Sequence, residues 1–400
     1  MTDVVVGEKA NPFRSLRNYN MRVYLSGLLL SNVGTWLQFT ATSLLIYRIN
    51  NKATDAGLNT LFQFLPMLFL GAWAGGFADR HDRRTVTIIT QSALAGQAIL
   101  LAAADFAGFT SLPVIYSLSL VLGIANAIDN PARRGLVTEL VEPDEISNAM
   151  SLNTTVMTGS RVFGPALAGL LIGPLGTAWL FTFNAISYLA VLGSLFALRR
   201  SEMVPSPPAK REGKPVREAL KFVWADPFLR YSFVVFTVVC TFAFNYSVVL
   251  PKMSDVKWGQ ENGYPFLMTV LSLGSIVGAI STARFRQITM KWFTTLVAIN
   301  GLACIGVALA PNYLVACLVM LPLGFGGTGF VASMTGITQM KTSSEMRSRM
   351  LALQSVAFLG STPIGGPITG WIGDHIGIEW SMAYGGIITL MVLPLLRRAK

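Results

Sequence analysis

The stretch GGFADRHDRRT, residues 75–85, places five charged side chains between two long apolar runs. Residues 56–78 on one side and residues 85–104 on the other contain no Asp, Glu, Lys or Arg. About 20 apolar residues in a helix are enough to cross the hydrocarbon core of a bilayer. The stretch is therefore expected to be a short loop between two membrane-spanning helices.

The rest of the chain repeats this pattern. Only 13% of its 400 residues are charged and 52% are hydrophobic, whereas about a quarter of the residues of a soluble protein are charged. These proportions favour a membrane protein over two soluble domains. The charge distribution predicts twelve membrane-spanning helices, at 23–47, 56–78, 85–104, 106–128, 146–173, 174–198, 231–251, 262–283, two within 292–340, 350–373 and 380–396.

The basic residues predict the orientation in the membrane. If the N-terminus is cytoplasmic, all but five of the 31 Lys and Arg residues lie in cytoplasmic segments, as the positive-inside rule requires. The five are Arg48, Lys52, Lys252 and Lys257 in outer loops and Arg161 inside the fifth span. Both termini are therefore expected in the cytoplasm. Because the net charge of +11 is spread over several segments, it does not indicate a nucleic-acid-binding patch.

The chain is expected to consist of two related halves. Residues 199–230, rich in proline and charge at their start, are predicted to be a cytoplasmic linker between a six-helix half at 1–198 and another at 231–400. Residues 150–176 align without a gap with residues 351–377, and four glycines coincide. Such similarity between equivalent spans is typical of transporters built from internal repeats.

The topology and the charged loop together resemble the major facilitator superfamily of secondary transporters. On span 5, Gly164-Pro165 with Gly169 is similar to the antiporter motif of its drug exporters. Residues 129–153, followed by SRVFGPALAGLLIG, resemble the branch that includes the enterobactin exporter and the macrolide efflux proteins. The loop motif that carries the resemblance reads Gly75-x-Phe77-Ala78-Asp79-Arg80-x-x-Arg83-Arg84.

The resemblance implies an all-α integral membrane fold of twelve transmembrane helices in two six-helix bundles. It implies secondary active transport, with proton-coupled efflux of a drug, a macrolide or a siderophore by alternating access. No cofactor is implied besides the proton gradient. The expected partners are a small-molecule substrate and the lipid bilayer of the cytoplasmic (inner) membrane, with no nucleic acid, and the protein is expected to act as a monomer.

Other functions stay open at this point. An importer of a small metabolite and a non-transporting membrane sensor are the alternatives. An enzyme is not expected, because the two histidines, His81 and His375, are predicted on opposite sides of the membrane and cannot converge on one site. No span carries a carboxylate at its middle, so the sequence identifies no proton-carrying residue.

In this superfamily the loop closes the cytoplasmic side by contacting the start of span 11, here near 347–350. The resemblance therefore implies a conformational gate in which Asp79 stabilises the outward-facing state; a loop that only sets topology is the alternative. Asp79 is also expected at a helix start, where the helix dipole favours a carboxylate. The second half has ARFRQITMK, without an acid, at the corresponding loop. The predicted gate residues are Gly75, Asp79, Arg80, Arg83 and Arg84.

Within the spans, Arg161 stands out because a charge inside the bilayer is costly and usually functional. It could bind an anionic or carbonyl-rich substrate, or it could form a structural pair. Gly164, Pro165 and Gly169 are predicted to let span 5 bend and pack closely, or to prevent substrate leak. Polar residues in the spans are candidates for lining a substrate cavity, with hydrogen bonding between helices as the alternative: Asn32, Trp36, Gln38, Asn153, Asn184, Asn245 and Gln354.

Overall fold

A computed structural model describes residues 11, 13–204, 215–285, 287–342 and 344–399, and these residues contain helices and no strand. The α-helices are α1 Tyr19–Asn50, α2 Ala53–Arg80, α3 Arg83–Phe106, α4 Leu112–Glu139, α5 Ile146–Leu175, α6 Thr177–Phe196, α7 Pro215–Ala225, α8 Pro227–Ala243, α9 Tyr246–Val256, α10 Tyr264–Ala283, α11 Met290–Leu309, α12 Tyr313–Lys341, α13 Ser344–Leu359, α14 Thr362–His375 and α15 Ile378–Met391. Short 3-10 helices cover Arg14–Arg17, Arg200–Glu202 and Leu393–Ala399.

Within these described ranges, nine helical segments are long and apolar enough to cross a membrane, with α8 and α9 counted as one. Helices α1 and α2 and the pair α13–α14 occupy the positions of the other three predicted spans. The arrangement is therefore consistent with twelve spans. Helix α7 lies within the segment predicted as a linker, of which residues 205–214 are outside the description.

The bundle has two ends. We call the end that holds the start of α1 and the end of α6 the terminal face; there the Asn20 amide donates a hydrogen bond to the Arg199 carbonyl over 3.0 Å. We call the opposite end, which holds the end of α1 and the start of α2, the far face. The positive-inside prediction assigns the terminal face to the cytoplasm.

Two spans differ from their predicted form. Helix α4 continues to Glu139 rather than ending near residue 128, so Arg133 and Arg134 belong to a helix and not to a loop. Span 11 is divided into α13 and α14. Pro363 in the first turn of α14 has no backbone N–H and therefore cannot donate the hydrogen bond that would continue the helix from α13. The repeat aligns Pro363 with Val162, and there α5 is continuous.

The predicted repeat also aligns Gly176 with Gly377. Both have a positive φ, 77° and 145° respectively, and both lie at the far face just before the next helix begins. Glycine adopts these angles without the steric penalty that a Cβ would bring. The chain therefore turns with the same residue type at equivalent positions.

Candidate functional site

The charged loop ties α3 to the other helices of the first half. Arg83 lies with Nη1 3.0 Å from the Glu139 carboxylate at the end of α4. Arg84 donates from Nε to the Leu195 carbonyl over 2.7 Å, and from Nη2 to the Phe196 carbonyl. These carbonyls belong to the last turn of α6, where the helix leaves acceptors without partners. In this conformation both arginines therefore contact their own half.

The carboxylate at the start of α3 is Asp82, so the prediction that Asp79 occupies a helix start was wrong. Helix α2 continues to Arg80 and places Asp79 in its last turn. Asp82 accepts a hydrogen bond from the Thr85 N–H over 2.7 Å. Partial burial raises the pKa of Asp82, but this bond and the charges of Arg200 and Arg84 outweigh it and lower the pKa below its usual value.

The gate itself stays a prediction. The side chains of Asp79 and Arg347 are not among those that the structure describes. The predicted contact between the loop and the start of span 11 therefore also lies outside the described residues. Gly75 is buried within α2, and Arg80 is exposed at its end.

The glycines of α5 permit close packing on two sides. A Cβ at Gly164 would lie 2.3 Å from the Trp36 Cβ of α1. A Cβ at Gly169 would lie 3.3 Å from Pro265, in α10 of the second half. Pro165 is buried inside the continuous helix. Helix α5 is therefore held between its own half and the other one.

Gly164→Ala is expected to destabilise the protein by about 1–3 kcal/mol, because the added methyl group would force α1 and α5 apart. Gly173→Ala on the same helix is the matched control, since a Cβ there meets nothing within 4 Å. Thermal unfolding in detergent measures both. Equal melting temperatures of the two variants would contradict the role assigned to Gly164.

Arg161 lies where the two halves meet. Its backbone carbonyl accepts a hydrogen bond from Ser272 of α10 over 2.9 Å, and its guanidinium stands 5.2 Å from the centre of the Trp36 ring. The side chain is exposed, and none of the ion pairs between described residues includes it. Arg161 therefore offers a cation on an aromatic face, about midway along α5 and without a carboxylate partner in the described part of the chain.

Two of the predicted cavity residues form hydrogen bonds between helices of the first half. Gln38 accepts from Asn184 over 2.7 Å and donates to Gln97 over 3.1 Å, and all three are buried within the first half. In this conformation Gln38 and Asn184 join helices, as the alternative interpretation expects. Asn32 is one turn from Trp36, and its buried amide nitrogen has no hydrogen-bond partner among the described residues.

Of the other candidates, Asn153 and Asn245 bond within one helical turn, and Gln354 bonds to a neighbouring helix. Asn153 donates to the Met157 sulfur over 3.7 Å, and Asn245 donates to the Thr241 carbonyl over 2.8 Å. Gln354 donates over 2.8 Å to Thr335, which lines a cavity of about 440 Å³ at the terminal face between α10 and α12.

A buried ion pair in α4 was missed from the sequence. Asp129 has no exposed surface; it accepts from Thr90 over 2.8 Å and from Gln91 over 3.0 Å, and its second oxygen lies 3.1 Å from Arg133 Nε. The charge distribution predicts an end of span 4 at residue 128 and therefore both charges at the cytoplasmic side, whereas α4 continues to Glu139. Their spacing of four residues, which pairs side chains on a helix, was the available signal.

The hydrogen bonds that join the halves are concentrated at the far face. Tyr47 donates to Asp255 over 2.6 Å, and Arg48 donates to Asn262 over 2.6 Å. Asp374 accepts from the start of α2. Of such bonds between described residues, only Ser272 to the Arg161 carbonyl lies near the middle of the bundle. The far face is thus closed.

Membrane-length helices in two halves, joined along a seam and closed at one end, define a transporter of the major facilitator superfamily. Within it, the chain belongs to the family described as transmembrane secretion effector, whose pattern matches residues 10–400. The chain is therefore a multi-pass membrane transporter with a small-molecule substrate, and it is not an enzyme. The predicted superfamily and fold class are confirmed.

Individual relatives are distant but cover most of the chain. It is 21% identical over 379 residues to the staphyloferrin A transporter of Staphylococcus aureus (strain NCTC 8325 / PS 47), which covers 93% of this chain and 94% of the relative. It is 24% identical over 351 residues to the enterobactin exporter EntS of Escherichia coli O1:K1 / APEC, which covers 83% of this chain and 82% of the relative.

A solved structure shares the fold. It is that of a bacterial homolog of the human lysosomal transporter Spinster, in an inward-facing and occupied conformation. The TM-score is 0.74 at 15% identity, over 98% of this chain and 97% of that one.

Proposed function

We propose that this transporter exports a siderophore, or a similarly anionic and carbonyl-rich organic molecule, in exchange for protons. The observation that carries the proposal is Arg161, a cation at the seam of the two halves that lies over the Trp36 ring and has no described carboxylate partner. A guanidinium binds carboxylates and other oxygen-rich groups through its planar fork of donors. The Trp36 ring supplies an apolar surface beside it.

The names of the relatives support this class of cargo, since one is a staphyloferrin A transporter and another an enterobactin exporter. The glycines of α5, which resemble the antiporter motif, support export over import. A drug or a macrolide is the alternative cargo, because apolar and aromatic surfaces suit those molecules as well.

The conformation supports alternating access. The far face is closed by hydrogen bonds between the halves. With the terminal face in the cytoplasm, as the basic residues predict, this state would load substrate from inside the cell. Export then requires the far face to open and the terminal face to close around the same central site.

Inside-out membrane vesicles test the proposal. We expect them to accumulate a catecholate or carboxylate siderophore several-fold above vesicles without the protein. Accumulation should require an imposed pH gradient and collapse when a protonophore removes it. Macrolides and dyes are screened in the same vesicles.

Other outcomes would favour the alternatives. Accumulation in right-side-out vesicles only would indicate an importer. No flux of any tested compound by folded, correctly inserted protein would contradict transport of this cargo class. Flux that persists without a proton gradient would contradict proton exchange but would not contradict the proposed class of cargo.

A further inference from the structure

The carboxylate of Asp374 connects the two halves at the far face. Its Oδ1 accepts from the Ala53 N–H over 2.9 Å, and its Oδ2 accepts from the Thr54 N–H over 2.8 Å and from the Thr54 hydroxyl over 2.5 Å. Lys252 of α9 donates to the same carboxylate over 2.6 Å. Asp374 is separated from Ala53 by 321 residues and belongs to the opposite half.

These bonds complete the start of α2, which lacks a cap of its own. The residue before the helix, Lys52, makes no capping hydrogen bond with its side chain. The first N–H groups of a helix have no partners within it, and the positive end of the helix dipole favours a carboxylate there. Asp374 therefore caps a helix of the first half from the second half.

Glycines bring the two helices close enough for this contact. A Cβ at Gly370 would lie 2.6 Å from the Ala53 carbonyl oxygen, and a Cβ at Gly57 would lie 2.4 Å from that of Gly366. Gly370 precedes Asp374 by four residues, which places both on one face of α14. The cap and the close helix contact therefore form together.

The same spacing occurs at the other end of α2. Gly75 precedes Asp79 by four residues, just as Gly370 precedes Asp374. Asp79 is the penultimate residue of α2, and Asp374 is the penultimate residue of α14. Helices α2 and α14 pack side by side and run in opposite directions, so these two residues lie at opposite faces of the molecule.

We propose that Gly370 and Asp374 form the outer gate of the transporter, the counterpart at the far face of the gate predicted at Gly75 and Asp79. Asp374 holds the far face closed by capping α2, and the cap is lost when the halves separate there. A contact can bias a conformational equilibrium only if it differs between the two states, and this cap can form only while the two halves touch at the far face. The inference rests on the proposed transport by alternating access, and it identifies the residues that close the far face.

The test measures conformation without substrate, so it is independent of the cargo. Spin labels are placed at Phe109→Cys and Gln260→Cys, two exposed far-face positions in different halves. The three native cysteines are buried, so the spin label reacts with the two introduced cysteines. Pulsed electron paramagnetic resonance then gives the populations of short and long distances in lipid nanodiscs.

Asp374→Asn is expected to raise the ratio of long to short distances at least about tenfold, because it removes charge-assisted hydrogen bonds of the closed state. Thr54→Val, which removes only the hydroxyl, should raise it about threefold. Asp105→Asn is the matched control, because Asp105 also lies at the far face but its side chain bonds, among the described residues, only to Thr110 and Thr177 of its own half. That control should leave the distances unchanged.

An unchanged distance distribution in folded Asp374→Asn protein would overturn the proposal. If that variant does not fold, an unchanged distribution in Thr54→Val would overturn it as well. An equal shift in Asp105→Asn would show that any lost carboxylate loosens this face, and would also overturn it. If instead the distances shift as expected while no siderophore is transported, the result supports the proposed gate and contradicts the proposed cargo.

Discussion

Replacing Arg161 with alanine is expected to lower siderophore export and binding at least about tenfold, while insertion into the membrane stays normal. The guanidinium lies at the seam of the halves, 5.2 Å from the Trp36 ring. Hydrogen bonds to a charged group contribute about 1.5–3 kcal/mol, which corresponds to a tenfold or larger change in affinity. Equilibrium binding to purified protein and flux into inside-out vesicles measure the two effects.

Two further variants separate a substrate contact from a structural role. Arg161→Lys keeps the charge but loses the planar fork of donors, so partial recovery of binding is expected. Arg17→Ala removes an exposed cation at the terminal face and should change neither quantity. Unaltered export by both Arg161 variants would remove this residue from the mechanism.

Asp79→Asn is expected to slow export at least about tenfold with normal expression and insertion. The superfamily resemblance assigns Asp79 to the gate at the terminal face, where loss of its charge would destabilise the outward-facing state. Spin labels at the far face should accordingly show more of the closed conformation seen here. The expected shift is opposite in direction to that of Asp374→Asn, which makes the two gates distinguishable.

Asp82→Asn is the matched control for Asp79, three residues away in the same charged stretch. Asp82 caps α3 through Thr85 and contacts its own half. Loss of its charge should cost at most about 1 kcal/mol of stability, because Asn also caps helices well, and should leave transport near normal. Normal transport by well-expressed Asp79→Asn protein would defeat the gate prediction.

Much of the fold could be predicted because the signals that define a membrane helix are local. A charge-free run of sufficient length marks a span wherever it occurs, and most predicted spans coincide with helices of the structure. Errors arose where local signals were weak. Helix α4 continues through Pro131 and the Asp129–Arg133 pair, and charges near a span end were interpreted as a loop.

The candidate site was less predictable. The sequence singled out Arg161 by its rarity, yet its position at the seam depends on Ser272, a residue 111 positions away. It selected Gln38 and Asn184 as polar residues in spans, but it could not show that these two amides bond to each other. Polar side chains between helices and polar side chains facing a cavity have the same sequence pattern.

The sequence by itself determined that this is a helical membrane transporter of the major facilitator superfamily, because span length, charge distribution and the loop motif are properties of contiguous residues. Only the tertiary structure decided which end of the molecule is closed and by which groups. The closing bonds join residues of different halves, Tyr47 to Asp255 and Asp374 to Ala53. Because such contacts depend on how the two helical bundles meet, no local pattern in the chain specifies them.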